Sequence, residues 1–110
     1  MTREIKFRAW DMEESIMYSW DVLQETWDIR PLFSDDEIIL MQFTGLKDKN
    51  GKEIYEGDLL KYAQVYEQPQ EVKMDGGCWI FGDEILGALE DKVEIIGNIY
   101  ESPSLTPIGI

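Results

Sequence analysis

The sequence predicts a mainly β protein with little helix, and three observations carry that expectation. Short apolar runs rich in Ile, Val, Leu and aromatic residues recur between Met41 and Tyr100. Glycine turns separate them every 8 to 12 residues or so, the spacing of a small barrel or sandwich. Finally, Asn50-Gly51 stands between two such runs. Asn-Gly is the strongest short-range hairpin signal, because both central residues of a type I′ turn need positive φ.

The elements follow in order. Ile5, Phe7 and Ala9 alternate with Lys6, Arg8 and Trp10, the period of a strand. Asp11 to Ser15 is polar and turn-like, and Ile16 to Trp20 reads as the second arm of an N-terminal hairpin. Trp20, Leu23 and Trp27 have helix-compatible spacing, but the segment is short and ends before Pro31, so helix and strand both stay open. Ser34 to Glu37 is a solvated turn, and Ile38 to Phe43 is an apolar run with β character. Lys52 to Tyr55 returns across Asn50-Gly51. At Gly57-Asp58 the glycine permits a bend or bulge, and the aspartate can accept nearby backbone N–H groups.

Leu59 to Tyr66 reads as a longer strand, broken by Gln68-Pro69-Gln70. Glu71 to Met74 and Cys78 to Phe81 flank Asp75-Gly76-Gly77, a second hairpin signal. Asp83 to Asp91 has room for a short helical turn or two, weakened by Gly87. Val93 to Ile96 and Ile99-Tyr100 flank Gly97-Asn98, read as a third turn. The expected organisation is a β-rich N-terminal part over 1–38, a barrel over 39–102 and a tail over 103–110.

A chain of 110 residues supports one core. Twenty-three acidic against ten basic residues give a formal net charge of −13. That sign repels phosphate backbones and anionic lipid, so neither nucleic acid nor membrane is an expected partner. The first twenty residues carry charges throughout and no apolar run approaches a membrane span, so a soluble, cytoplasmic protein is expected. There is no histidine, which removes the commonest general base and transition-metal ligand. The single cysteine, Cys78, excludes an internal disulfide and a multi-cysteine zinc site. Its setting in Cys78-Trp79-Ile80-Phe81 predicts a buried, inert thiol.

Three blocks carry a resemblance. Arg3 to Asp11, in the run Arg-Glu-Ile-Lys-Phe-Arg-Ala-Trp-Asp, resembles the opening of the YopX family of phage and prophage proteins. Leu40 to Asp58, containing Thr44-Gly45-Leu46-Lys47-Asp48-Lys49-Asn50-Gly51-Lys52-Glu53-Ile54-Tyr55-Glu56-Gly57-Asp58, is similar to that family's central motif. Ile96-Gly97-Asn98-Ile99-Tyr100-Glu101 resembles its closing strand. Ser102 and Ser104 depart from it, standing where Asn and Glu are common, and the segments 19–37 and 63–92 match nothing nameable. The resemblance implies an SH3-like β-barrel in the C-terminal half, a β-rich N-terminal part, a phage or prophage origin and a tendency to oligomerise. It implies no activity and carries over no catalytic residue.

Residue chemistry adds little to that. Asp48, Asn50 and Glu53 invite a calcium reading, but an EF-hand loop needs glycine at position six and glutamate at twelve, and here Gly51 falls at four and Gly57 at ten. Asp58 has no histidine to work with as a catalyst. The clusters Asp35-Asp36-Glu37 and Asp83-Glu84 read as solvated loops. No catalytic, metal or cofactor residue is expected, and Asn50, Gly51, Gly57 and Asp58 are assigned to turns. The four tryptophans lack the basic groove that a single-strand stacking platform needs. Trp10, Trp20 and Trp27, with Leu105, Ile108 and Ile110 in the tail, are the candidate interface residues. The expected function is non-enzymatic. The protein would act by protein–protein interaction, as a homo-oligomer and with an unidentified host or phage protein. Two alternatives are an acidic decoy for a nucleic-acid-binding host protein and a carboxylate- or metal-dependent enzyme.

Overall fold

The computed structural model describes residues 5–26, 36–62 and 64–102. The chain divides into two units, Met1–Phe43 and Thr44–Ile110. Strand β3 carries the chain from the first into the second. The fold is mainly β, as expected.

In the first unit, β1 (Phe7–Asp11) lies between β2 (Ile16–Tyr18) and the first part of β3 (Ile38–Lys47). Both pairings are antiparallel, with Ala9 opposite Tyr18 on one side and Leu40 on the other. The β1–β2 turn is held by Asp11, whose Oδ1 accepts the N–H of Glu13 at 2.9 Å and of Glu14 at 3.1 Å. After β2 the chain forms α1 (Trp20–Thr26), so the segment left open between helix and strand is helical. The physical reason is burial. A strand would put Asp21 and Glu25 on the face of Leu23, whereas a helix buries Leu23 and leaves its neighbours outside. Ser19 caps the helix, its carbonyl accepting the Leu23 N–H at 3.0 Å, and Asp21 in the first turn suits the helix dipole. Ala9 and Leu23 are fully buried, with Tyr18, Trp20, Ile38 and Leu40 packed on them.

The second unit continues β3 into β4 (Glu53–Tyr55), then β5 (Asp58–Lys61), β6 (Gln70–Asp75), β7 (Cys78–Phe81), β8 (Glu84–Ile85) and β9 (Glu94–Asn98). Two 3₁₀ turns, Leu86–Ala88 and Glu90–Lys92, occupy the stretch expected to hold short helical turns. The five-stranded sheet runs β8-β7-β6-β5-β9, antiparallel throughout, with a bulge on β9, where Ile96 is the extra residue opposite the step from Leu59 to Leu60. Ile54, Leu60, Val72, Phe81, Leu86 and Val93 are fully buried and form the core. The rings of Tyr62 and Tyr66 meet Phe81 edge-on, with centroids 6.1 and 6.2 Å away.

Three local expectations are corrected. The strand expected over Leu59 to Tyr66 ends at Lys61, because the Tyr62 carbonyl accepts N–H bonds from Val65 and Tyr66 and turns the chain. That turn keeps both tyrosine rings on Phe81. Gly97-Asn98 is not a hairpin turn but the last part of β9. The turn follows it: Asn98 Oδ1 accepts the N–H of Tyr100 at 3.0 Å and of Glu101 at 2.8 Å. Cys78 is exposed rather than buried. On β7 the side chains alternate, Trp79 packing on the core and Phe81 lying within it, so Cys78 falls on the opposite face at the hairpin tip.

Candidate functional site

The residues of the central motif are joined by hydrogen bonds to backbone. Asp48 is 5% exposed, and both carboxylate oxygens are engaged. Oδ1 accepts the N–H of Asn50 and of Lys52, each at 2.9 Å. Oδ2 accepts the N–H of Ile95 on β9 at 3.0 Å. Next to it, the Lys49 N–H donates to the Val93 carbonyl at 3.0 Å. This donor and acceptor pair is what a neighbouring strand would offer, and β9 is an edge of its sheet. A hairpin loop and one carboxylate therefore cover a strand edge, an arrangement consistent with a small barrel. Burial by itself would push the Asp48 carboxyl up. The three backbone N–H groups, with the Lys52 ammonium nearby, outweigh burial and hold it below the usual carboxylate range.

Asn50-Gly51 is a hairpin loop, but not of the expected type. The Gly51 N–H donates to the Asp48 carbonyl at 3.0 Å, and Gly51 alone in the loop has positive φ, at 83°. Asn50 does not share it. The loop is a three-residue one, a turn followed by a left-handed glycine, because the Asp48 side chain holds the Asn50 and Lys52 N–H groups. The primed two-residue turn occurs instead at Gly76 and Gly77, with φ of 60° and 83° between the paired Asp75 and Cys78.

Gly57 and Asp58 lie where the chain turns from β4 into β5. Asp58 is 2% exposed and its Oδ2 accepts the Tyr55 N–H at 2.7 Å. Gly57, with φ of 87°, donates its N–H to Val72 and accepts from Ile99. Thr44 joins the network through its hydroxyl, which donates to the Ile54 carbonyl at 2.7 Å. Trp10 and Trp20 are half-buried, and the Trp20 ring lies 6.1 Å from Phe7. Trp27, Leu105, Ile108 and Ile110 lie outside the described residues. Among the described residues no three His, Cys, Asp or Glu side chains converge as a metal site requires. No helix among them is long and apolar enough to cross a membrane.

A groove of about 320 Å³ opens on the second unit, lined by Lys61, Tyr66, Glu67, Gln68, Pro69 and Ile96. Sequence reasoning missed it. Its walls come from the end of β5, the β5–β6 loop and β9, and only the antiparallel pairing of β5 with β9 brings them together. Gln68-Pro69-Gln70 reads in sequence as a strand break and nothing more. Tyr66 is fixed on several sides. Its N–H donates to Tyr62, its hydroxyl accepts the Asp83 N–H at 2.8 Å, and its ring packs on Phe81. It also lies against Gly82, where an added Cβ would fall 2.6 Å from the ring.

Comparison with known proteins now decides the family. The model of the family described as YopX protein matches residues 25–106. The chain belongs to the YopX family. Two solved structures share the fold. Protein EF1440 from Enterococcus faecalis is 28% identical, with 94% of this chain and 99% of that one covered and a TM-score of 0.69. Protein yopX from Bacillus subtilis is 20% identical, with 91% and 96% covered and a TM-score of 0.63. No curated protein matches the chain. The YopX match spans the Asp48 network, the Asp58 and Asn98 turns and the groove. The central motif thus holds backbone in place, whereas the groove is built largely from the β5–β6 loop, which lies inside the family match but outside the motif blocks.

Proposed function

We propose that this YopX-family chain is a non-enzymatic accessory protein of phage or prophage origin, working in the cytoplasm of the bacterial host as a homo-oligomer that contacts another protein. One observation carries the reading. The polar side chains of the motif, Asp48, Asp58 and Thr44, hydrogen-bond the protein's own backbone, while large apolar side chains stay at the surface. Ile5 is 62% exposed, Ile85 58% and Val65 52%, with Met12 and Met74 close behind. Exposed apolar side chains supply contact sites where they gather into a patch. An SH3-like barrel, which the five-stranded antiparallel sheet supports, offers loops and a barrel face for such contacts by analogy of fold.

The acidic-decoy reading draws less support. Ten acidic and four basic side chains belong to Met1–Phe43, and thirteen and six to Thr44–Ile110, so the charge divides evenly instead of gathering on one unit.

Sedimentation of the purified protein at low and high salt tests the proposal. A homo-oligomer that persists or tightens at high salt is expected, since salt screens the mutual repulsion of two acidic chains. A monomer in both conditions, with no stoichiometric partner captured from host cells, would overturn it.

A further inference from the structure

We infer that the groove between the β5–β6 loop and β9 is a docking site for a basic peptide segment, one apolar side chain of which seats on Tyr66, Pro69 and Ile96. The inference rests on the protein-binding reading and gives it a place and a partner chemistry. The groove is preformed. Tyr66 is held by its hydroxyl bond to Asp83, by Phe81 and by its close approach to Gly82, and Pro69 is stiff by construction. Rigid walls lower the ordering cost of binding. At about 320 Å³ the groove lies at the small end of ligand sites, so it takes an anchoring side chain and not a large ligand. Val65, in the same turn as Tyr66, adds exposed apolar surface beside the loop.

Charge selects the partner. Glu67 and Lys61 are both exposed, so the rim carries one charge of each sign, and Glu94, across the strand pair from Lys61, has its carboxylate 3.8 Å from Lys49 Nζ. Around them the whole chain is at −13. An anionic partner meets repulsion, and a neutral one is not steered. A segment bearing Arg or Lys beside an apolar residue is attracted at long range and can set its cation against Glu67 or over the Tyr66 ring.

The test is a titration of the ¹⁵N-labelled full chain with capped hexapeptides, each holding two arginines around a Leu, Phe or Pro, and with the same peptides carrying Glu for Arg. Expected are amide shifts centred on residues 64–68 and 96 for the basic set alone, weakened by salt. The variant Glu67→Lys should weaken binding by about fivefold or more, the loss of one rim attraction and its reversal. Glu67 is exposed, so this variant folds. The variant Gly82→Ala displaces the Tyr66 wall without altering groove charge, and should weaken the apolar anchor while leaving the salt dependence. Shifts spread over the acidic surface, unchanged in Glu67→Lys, would overturn the site, as would equal binding of the acidic peptides or no shifts at millimolar peptide. Groove shifts that appear on concentrating the protein alone would replace the peptide by a second copy. Self-association that persists in sedimentation while no groove shifts occur would retire the groove and leave the protein-binding reading standing.

Discussion

Two of the glycine hairpins in the second unit look alike in sequence and differ in construction. Gly76-Gly77 closes β6 and β7 with backbone alone, both glycines at positive φ and the pair Asp75 and Cys78 directly flanking them. Its surroundings are exposed, including Met74 and Cys78. The loop at Asn50-Gly51 needs only one left-handed residue, because Asp48 organises the rest and reaches out to Ile95 on β9. The first hairpin is local. The second is a tertiary joint that happens to contain a turn. A turn dipeptide therefore locates a reversal, while the buried polar side chain beside it decides the type of turn and what the turn holds.

The largest effect that would break this comparison lies at Asp48. Asp48→Ala removes the acceptor for three N–H groups, and a stranded buried donor costs about 1–3 kcal/mol. A loss of about 3 kcal/mol or more is expected by urea denaturation, and less than 1 kcal/mol would show the joint to be ornamental. Asp48→Asn should cost about 2 kcal/mol, since its amide would turn a donor toward a donor.

Next come the glycines. Gly51→Val should cost about 1–2 kcal/mol, because a β-branched side chain resists positive φ. At the other hairpin, Gly76→Asn should change stability by less than about 0.5 kcal/mol, since Asn tolerates the first position of a primed turn. Equal melting temperatures for Gly51→Val and the unaltered chain would remove the assignment at Gly51.

Acid sharpens the same contrast. The Asp48 carboxyl is held below its ordinary range by backbone N–H bonds that outweigh burial. Its contribution is complete above the unfolded value of about 3.9 and is lost as pH falls through the lower folded value. The unaltered chain should lose stability more steeply than Asp48→Asn below about pH 4. Urea midpoints taken across that range decide it, and superimposable acid profiles would show that Asp48 does not titrate with folding.

The smallest effect concerns the exposed hairpin. Cys78→Ser should alter stability by less than about 0.5 kcal/mol, and a thiol reagent should label native Cys78 as fast as it labels the unfolded chain to within about tenfold. Protection by orders of magnitude would mean that the β6–β7 tip is covered in solution.

Much of the fold was legible in the residues. Alternation placed β1, glycine pairs placed the β6–β7 reversal, and the oxygen-bearing side chain of Asp58 marked its own turn. These features share a cause. Each depends on neighbours within a few positions, where period, φ and short hydrogen bonds are set by residue type. Family membership was legible because the central motif is one continuous run of residues, even though Asp48 within it reaches across to Ile95. Tertiary structure decided the rest. Cys78 and Trp79 are adjacent and both apolar, yet the pleat puts one outside and the other on the core. Gly97-Asn98 has turn chemistry, yet pairing with β5 keeps it in a strand and moves the turn to the far side of Asn98. Tyr66 and Ile96 are thirty residues apart and share a groove only because β5 lies beside β9. Burial on one face and contact across long sequence separation are properties of the packed chain, and no local pattern encodes them.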